Sequence, residues 1–140
     1  SLGFDRQTPV ITIEASDVLC DIAKNHFQEL GYDNIRLVRG PIDEQLPLLL
    51  ENNKLVLDLI FVDANHRRDA LIRYIGWIMP SLSDNAVVVV DDIRWSADMY
   101  EGWSELCRYE DFQLSLDLLD QGLLIRRPAL VKQHYFLHFR

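Results

Sequence analysis

Along most of this chain, short apolar runs rich in β-branched residues alternate with stretches of helical periodicity, and that alternation leaves few folds open. Val10-Ile11-Thr12-Ile13 predicts a strand that stops at Glu14. Ser16 is placed to cap the helix that follows, with Asp17 at its positive end. Val18, Leu19, Ile22, Ala23, Phe27 and Leu30 recur at helical spacing up to Gly31, a natural stop. Ile35-Arg36-Leu37-Val38 predicts a second strand, closed by Gly40-Pro41. Ile42, Leu46, Leu49 and Leu50 predict a short helix whose start Pro47 limits. Leu57–Val62 predicts a third strand, ending at Asp63. Leu71, Tyr74, Ile75 and Ile78 mark another helix, stopped by Pro80. The run 86–90 predicts a fourth strand, the most apolar, ending at Asp91-Asp92. Ser96 then caps a helix carrying Met99, Trp103, Leu106 and Cys107. Strands that alternate with helices predict a parallel sheet covered on both faces.

The alternation then gives way. Residues 114–119 and 123–127 flank Asp120-Gln121-Gly122 and read as strand, tight turn, strand, a hairpin that adds an antiparallel edge. Residues 133–139 read as one more strand. The predicted fold class is α/β: a doubly wound, mostly parallel Rossmann-like sheet with a C-terminal antiparallel hairpin. In that arrangement the first strand lies in the middle of the sheet, between the strands ending at Glu14 and Asp63. Residues 1–8 hold only Leu2 and Phe4 as large apolar residues, so the first strand and first helix are expected to lie outside the sequence. Within the sequence, 133–139 is the substitute for that strand. Direct pairing of the 10–13 strand with Leu57–Val62 would remove the expectation.

A chain of 140 residues suits one domain, taken as 1–140 and N-terminally incomplete, since it begins at Ser1. Its 22 acids against 14 Lys plus Arg give a net charge of −8, which argues against a basic face for nucleic acid or an anionic membrane. No apolar run approaches the ~20 residues of a membrane span, and the N-terminus lacks a signal-peptide layout. Cys20 and Cys107 fall on helical stripes and read as reduced core thiols, which points to the cytoplasm.

In doubly wound sheets ligands bind beyond the carboxyl ends of the strands. Glu14, Asp63 and the Asp91-Asp92 pair all fall there. Any one of them could be turn chemistry, but three on one rim repel each other unless a ligand joins them. Glu14 has the place of an acid that accepts hydrogen bonds from ribose hydroxyls. The glycine fingerprint that should precede it by about 20 residues is absent, and only Ser1-Leu2-Gly3 could be its tail. Asp63, Asp91 and Asp92 form a hard-oxygen set suited to Mg²⁺, Ca²⁺ or Mn²⁺. His66, read as one helical turn beyond Asp63, carries an imidazole suited to general-base work or to bonding a neighbouring carboxylate. Trp95 could wall a pocket, whereas Trp103 belongs to the core. His134 and His138 share a strand face with no nearby acid or Cys pattern, which argues against zinc. Arg67-Arg68 and Arg126-Arg127 read as solvated pairs.

Two segments carry a resemblance. Asp58-Leu59-Ile60-Phe61-Val62-Asp63-Ala64-Asn65-His66 and Val87-Val88-Val89-Val90-Asp91-Asp92-Ile93 resemble class I S-adenosylmethionine (SAM)-dependent methyltransferases. The nearest likeness is to bacterial small-molecule O-methyltransferase-like proteins with Asp-Ala-Asn-His and Asp-Asp-Ile-x-Trp segments, and it covers essentially the whole chain. The resemblance implies methyl transfer from SAM to a hydroxyl of a small-molecule acceptor, assisted by a divalent cation such as Mg²⁺. It matches Glu14 to the acid that holds the cofactor ribose, with Ala15 beside it. Gly40 and Ile42 fall in the turn that encloses the adenine, and Pro41 stands where the family often carries Asp or Asn. Gly3 matches the last glycine of the cofactor loop. Asp63, Asp91 and Asp92 match the three metal ligands of cation-dependent catechol-type enzymes, where the last is commonly Asn. Asp63 also borders the cofactor and the reacting centre, and His66 matches the position of a Lys base. Neither nucleic acid nor membrane is an implied partner, and homo-oligomerisation is left open.

Two other readings stay open beside it. A degenerate nucleotide- or SAM-binding module would keep the fold without turnover. A nicotinamide-dependent enzyme would use Glu14 too, but it demands the full glycine fingerprint and leaves the three-Asp rim unexplained. A receiver domain is set aside, because its acid pair precedes its strand-end Asp.

Overall fold

A computed structural model of the chain describes residues 8–52 and 54–137, so Gly3 and His138 lie outside the described residues. The chain forms two compact units that divide between Asn53 and Lys54.

The N-terminal unit contains β1 (Val10–Glu14), α1 (Asp17–Glu29), β2 (Ile35–Arg39) and α2 (Ile42–Asn52). β1 and β2 pair in parallel from Val10↔Ile35 to Glu14↔Arg39, so both end at the same rim. Ser16 caps α1 as expected, accepting the Leu19 N–H at 3.4 Å. Gly31 ends it with a φ of +67°. The Gly31 N–H reaches the Gln28 carbonyl and the Tyr32 N–H reaches that of Phe27, which closes a Schellman motif. The expectation for α2 needs correction: Pro47 lies inside the helix rather than limiting its start. Pro41 supplies the first carbonyl, accepting the Glu44 and Gln45 N–H groups. Pro47 then costs the ladder a single N–H donor.

The C-terminal unit contains β3 (Leu57–Val62), α3 (Arg68–Ile78), a 3₁₀ turn (Met79–Ser81), β4 (Leu82–Val90), α4 (Ala97–Leu106), β5 (Leu114–Asp117), β6 (Gly122–Ile125) and β7 (Gln133–Phe136). Its sheet runs β3-β4-β6-β5-β7. β3 pairs parallel to β4, β6 antiparallel to both β4 and β5, and β7 parallel to β5. The fold is thus α/β and Rossmann-like, with a mixed sheet.

Three details differ from expectation. The hairpin is not the sheet edge, because β6 pairs with β4 and leaves β7 outermost. Gly122 is not a turn residue but the first residue of β6, opposite both Asp117 and Val90. A Cβ there would lie 2.5 Å from the Trp103 ring, so close packing explains the glycine. The turn instead spans 118–121, closed by the Leu118 N–H on the Gln121 carbonyl, with Leu119 at a φ of 77°. Because β7 lies beside β5, the described part of the 133–139 run does not take the mid-sheet place. β1 and β3 each have one strand partner among the described residues.

The core of this unit is made by Leu71, Tyr74, Ile75 and Ile78 of α3, Ala86, Val88 and Val90 of β4, and Met99, Trp103 and Leu106 of α4. Cys20 and Cys107 are both free thiols. Cys20 is buried, but Cys107 is the half-buried C-cap of α4 rather than a member of its stripe. Burial pushes the Cys107 thiol up to about 11. Among the described residues no helix is long and apolar enough to cross a membrane.

Candidate functional site

In the N-terminal unit the rim is built around Glu14, the last residue of β1. Its Oε1 accepts the Ser16 N–H at 2.7 Å, which turns the chain into α1. Its backbone carbonyl accepts the Gly40 N–H at 2.9 Å and the Cys20 thiol at 3.3 Å. Gly40 follows β2 at a φ of +131°, a conformation that calls for glycine, and a Cβ there would also push the Gln45 side chain aside, its Nε2 lying at 2.9 Å. Glu14 and Gly40 therefore meet at one rim, with Ala15 next in the chain and Ile42 opening α2 just beyond. Arg39 ties the end of β2 to α1 through Asp17 and Asp21 at 2.7 and 2.5 Å. A groove of about 360 Å³ reaches from Thr12 and Glu14 along Leu19, Ile22 and Phe27 of α1.

In the C-terminal unit the rim is the carboxyl end of the parallel pair β3 and β4. Asp63 follows β3 directly, and Asp91 follows β4, with its N–H on the Val62 carbonyl at 2.9 Å. Both loops then bend through the left-handed region: Asn65 at a φ of 61°, His66 at 23° and Asp92 at 52°. Non-glycine residues in such conformations cost about 1–3 kcal/mol each and persist where neighbours hold them. The Asn65 amide donates to the hydroxyl of buried Tyr74 at 2.5 Å. The Asp92 N–H donates to Asp91 Oδ1 at 3.1 Å, and the Trp95 N–H to the Asp92 carbonyl at 2.9 Å.

These bends place His66 between two carboxylates. Its Nε2 lies 3.7 Å from Asp63 Oδ1, and its Nδ1 lies 3.7 Å from Asp92 Oδ2. One donor atom from each of Asp63, His66 and Asp92 falls within 4.8 Å of the others. His66 Nδ1 is buried and has no hydrogen-bond partner among the described residues. The Trp95 ring sits 5.2 Å from the imidazole, tilted by 32°, and Trp95 is otherwise exposed.

Two placements depart from expectation. His66 stands in the loop before α3, not in its first turn, because the helix begins at Arg68. Arg67 offers no side-chain cap, so Asp98 at the start of α4 accepts the Arg68 N–H instead, at 2.9 Å. The three donor groups that meet are Asp63, His66 and Asp92, while the Asp91 carboxylate is engaged with the Asp92 N–H. Sequence reading placed His66 beside the acids as a base, and missed it as the group between them. The usable signal was Asn65-His66 directly after a strand end, two residue types that tolerate positive φ. Trp95 does flank the candidate site, and Trp103 is core as expected.

A family model described as a methyltransferase domain matches residues 5–93, from before β1 through the Asp91-Asp92 loop. The chain belongs to this methyltransferase family. The sequence finds no match among curated proteins. Solved structures share the methyltransferase fold. The SAH-bound methyltransferase PaMTH1 of Podospora anserina superposes with a TM-score of 0.70 at 22% identity, over 88% of this chain and 62% of that one. An O-methyltransferase from Bacillus cereus in complex with SAH gives 0.68 at 18% identity, over 85% and 63%. TomG of Streptomyces achromogenes, an O-methyltransferase of tomaymycin synthesis in complex with SAM, gives 0.67 at 22% identity, over 84% and 61%. At such identities the likeness establishes the fold alone. The chain spans less than two thirds of the length of each of these three.

Proposed function

We propose that this methyltransferase-family protein moves a methyl group from SAM to a hydroxyl of a small-molecule acceptor, with 1–140 acting as one domain. The observation that carries the proposal is His66 set between Asp63 and Asp92 at the carboxyl ends of parallel strands. Methyl transfer from a sulfonium needs a nucleophile held in line and a place for its proton. The acceptor oxygen attacks the methyl carbon, the carbon–sulfur bond breaks, and the proton goes to a ring nitrogen of His66. Asp63 and Asp92 each face one ring nitrogen, at 3.7 Å. The acids also suit a cationic donor. In the N-terminal unit, Glu14 accepts from the ribose hydroxyls with Ala15 beside it, and Gly40 and Ile42 lie at the adenine. Asp63, in the C-terminal unit, carries a cofactor assignment of its own. Gly3 belongs to the same assignment and lies outside the described residues.

The donor set also fits a divalent cation, because buried His66 Nδ1 lacks a hydrogen-bond partner among the described residues and lies beside the two carboxylates. Asp63, His66 and Asp92 would hold it, two carboxylate oxygens and one ring nitrogen, with Asp91 next in the chain as a third carboxylate. Such an ion, when bound, lowers the pKa of a coordinated hydroxyl and orients it.

Calorimetry with S-adenosylhomocysteine, and assay of its release from SAM over a panel of small hydroxyl compounds, test the reading. Binding and turnover are expected, with His66→Gln lowering turnover by about 10²-fold or more. Absence of both sinks the reading, and binding without turnover replaces it with the non-catalytic module. Loss of turnover in excess chelator, restored by Mg²⁺ or Mn²⁺, supports the cation; full activity in chelator leaves His66 as the base alone.

A further inference from the structure

Arg94 has no part in the proposed chemistry, yet it carries an unusual set of contacts. Its guanidinium forks onto Asp117, Nη1 to Oδ1 at 2.8 Å and Nη2 to Oδ2 at 2.9 Å. It also donates to the Leu119 carbonyl, and it lies 5.0 Å from the Tyr100 ring centre and 5.3 Å from that of Phe136. Asp117 is 1% exposed. Its Oδ1 also accepts the Leu119 N–H at 3.1 Å, so the carboxylate holds both the guanidinium and the 118–121 turn. One residue earlier, Ile93 is fully buried, and its N–H bonds the Asp120 carbonyl at 2.9 Å. The chain is thus fastened at 93 and 94 to the β5–β6 turn, directly after the left-handed Asp92. The Asp92 carbonyl then receives the Trp95 N–H. A bidentate fork of this kind fixes direction as well as distance, which a lysine cannot do.

We propose that Arg94 is a positioning residue: clamped to Asp117, it fixes the 92–95 turn and so aims the Asp92 carboxylate and the Trp95 ring at His66. The clamp acts through the backbone. Strain at Asp92 is released if either anchor yields, and the released turn draws the carboxylate and the indole away together.

The test uses the whole chain with 5-fluorotryptophan at its three tryptophans and ¹⁹F NMR as the reading. Trp95→Phe identifies the Trp95 line, and His66→Gln measures how far stacking on the imidazole displaces it. In Arg94→Met and Asp117→Asn the Trp95 line should move toward the solvent-exposed position and stop responding to His66→Gln. The Trp77 line should stay in place and report an intact fold. Arg94→Lys keeps the charge without the fork and should fall between. The activity arm rests on the methyl-transfer reading: kcat should fall about tenfold or more, with KM for SAM within about twofold, because the turn is misplaced and the ribose rim is untouched. An unmoved Trp95 line in both variants overturns the proposal. So does an equal movement in Leu124→Ala, a core variant that leaves the clamp intact. If the unaltered protein transfers no methyl group, the functional reading fails, and the NMR arm still decides the role of Arg94.

Discussion

The two units carry the residues proposed for function on different footings. In the N-terminal unit only Cys20, Leu46 and Leu49 are buried among the described hydrophobic residues, and Val18, Leu19 and Ile22 of α1 stay exposed. In the C-terminal unit α3, β4 and α4 close over Tyr74, Val88, Trp103 and Leu106, each at most 1% exposed. Its weak side is β3, where Leu59 and Phe61 remain exposed. Burial of apolar surface is the main stabilising term, so the second unit has far more holding it together. The acid assigned to the ribose therefore stands on the lightly buried scaffold. His66 and its two carboxylates stand on the dense one, where strained backbone can persist.

The largest expected effect tests the dense footing. Trp103→Ala should destabilise the protein by about 3–5 kcal/mol in urea unfolding, because it leaves a ring-sized cavity under Gly122. A loss below about 1 kcal/mol would mean the C-terminal unit is no better packed than the other, and the contrast would fall.

Next comes the buried ion pair. Burial pushes the Asp117 carboxyl up, but the Arg94 fork and the Leu119 N–H outweigh it and hold the group below its ordinary 3.8. Asp117→Asn should cost about 3 kcal/mol near neutral pH, since it leaves Arg94 without its counter-charge. A depressed carboxylate stabilises the fold above its unfolded pKa and loses that contribution as pH falls through the folded value. The gap between the two proteins should thus be flat from pH 7 to 5 and narrow below 3.8. Chemical denaturation at several pH values checks this, and a gap that persists at the acid end would remove charge as its source.

How much of this was legible depends on distance along the chain. The order of strands and helices through α4 follows from local apolar periodicity and caps such as Ser16, Gly31 and Ser96, all decided by neighbours. The strand-end acids were legible for the same reason. What sequence concealed was settled by residues far apart. The Trp103 ring requires Gly122, and Asp98 caps α3 from another helix. Arg94 and Asp117 lie 23 positions apart, and nothing in the local sequence of either points to the other. The meeting of His66 with Asp92 depends on left-handed backbone at Asn65, His66 and Asp92, which these residue types tolerate but which their own sequence does not impose.

The third expected effect tests the lighter footing through its ligand. Glu14→Ala should weaken S-adenosylhomocysteine binding by about 2 kcal/mol, the scale of losing hydrogen bonds to a charged group. Calorimetry reads it directly. Unchanged affinity would take Glu14 out of the cofactor site and leave the Ser16 N–H as the partner of its carboxylate among the described residues.

The smallest effect separates a loosely built unit from a covered one. Val18 and Leu19 belong to the stripe that reads as core in sequence, yet they are 67% and 51% exposed. Exposed apolar residues contribute little to folding, and glutamine has nearly the helix propensity of leucine. Leu19→Gln should therefore change the unfolding free energy by less than about 0.5 kcal/mol, against about 2–5 kcal/mol for Leu106→Ala in the dense core. A cost of 2 kcal/mol or more at Leu19 would be informative in the other direction. An exposed side chain has no contacts to lose on that scale, so something beyond the described residues, another segment or a second copy, would have to lie on α1. The periodicity of Val18, Leu19 and Ile22 would then be a true core signal. The unequal footing of the two units would then describe α1 uncovered, and not α1 with whatever lies on it.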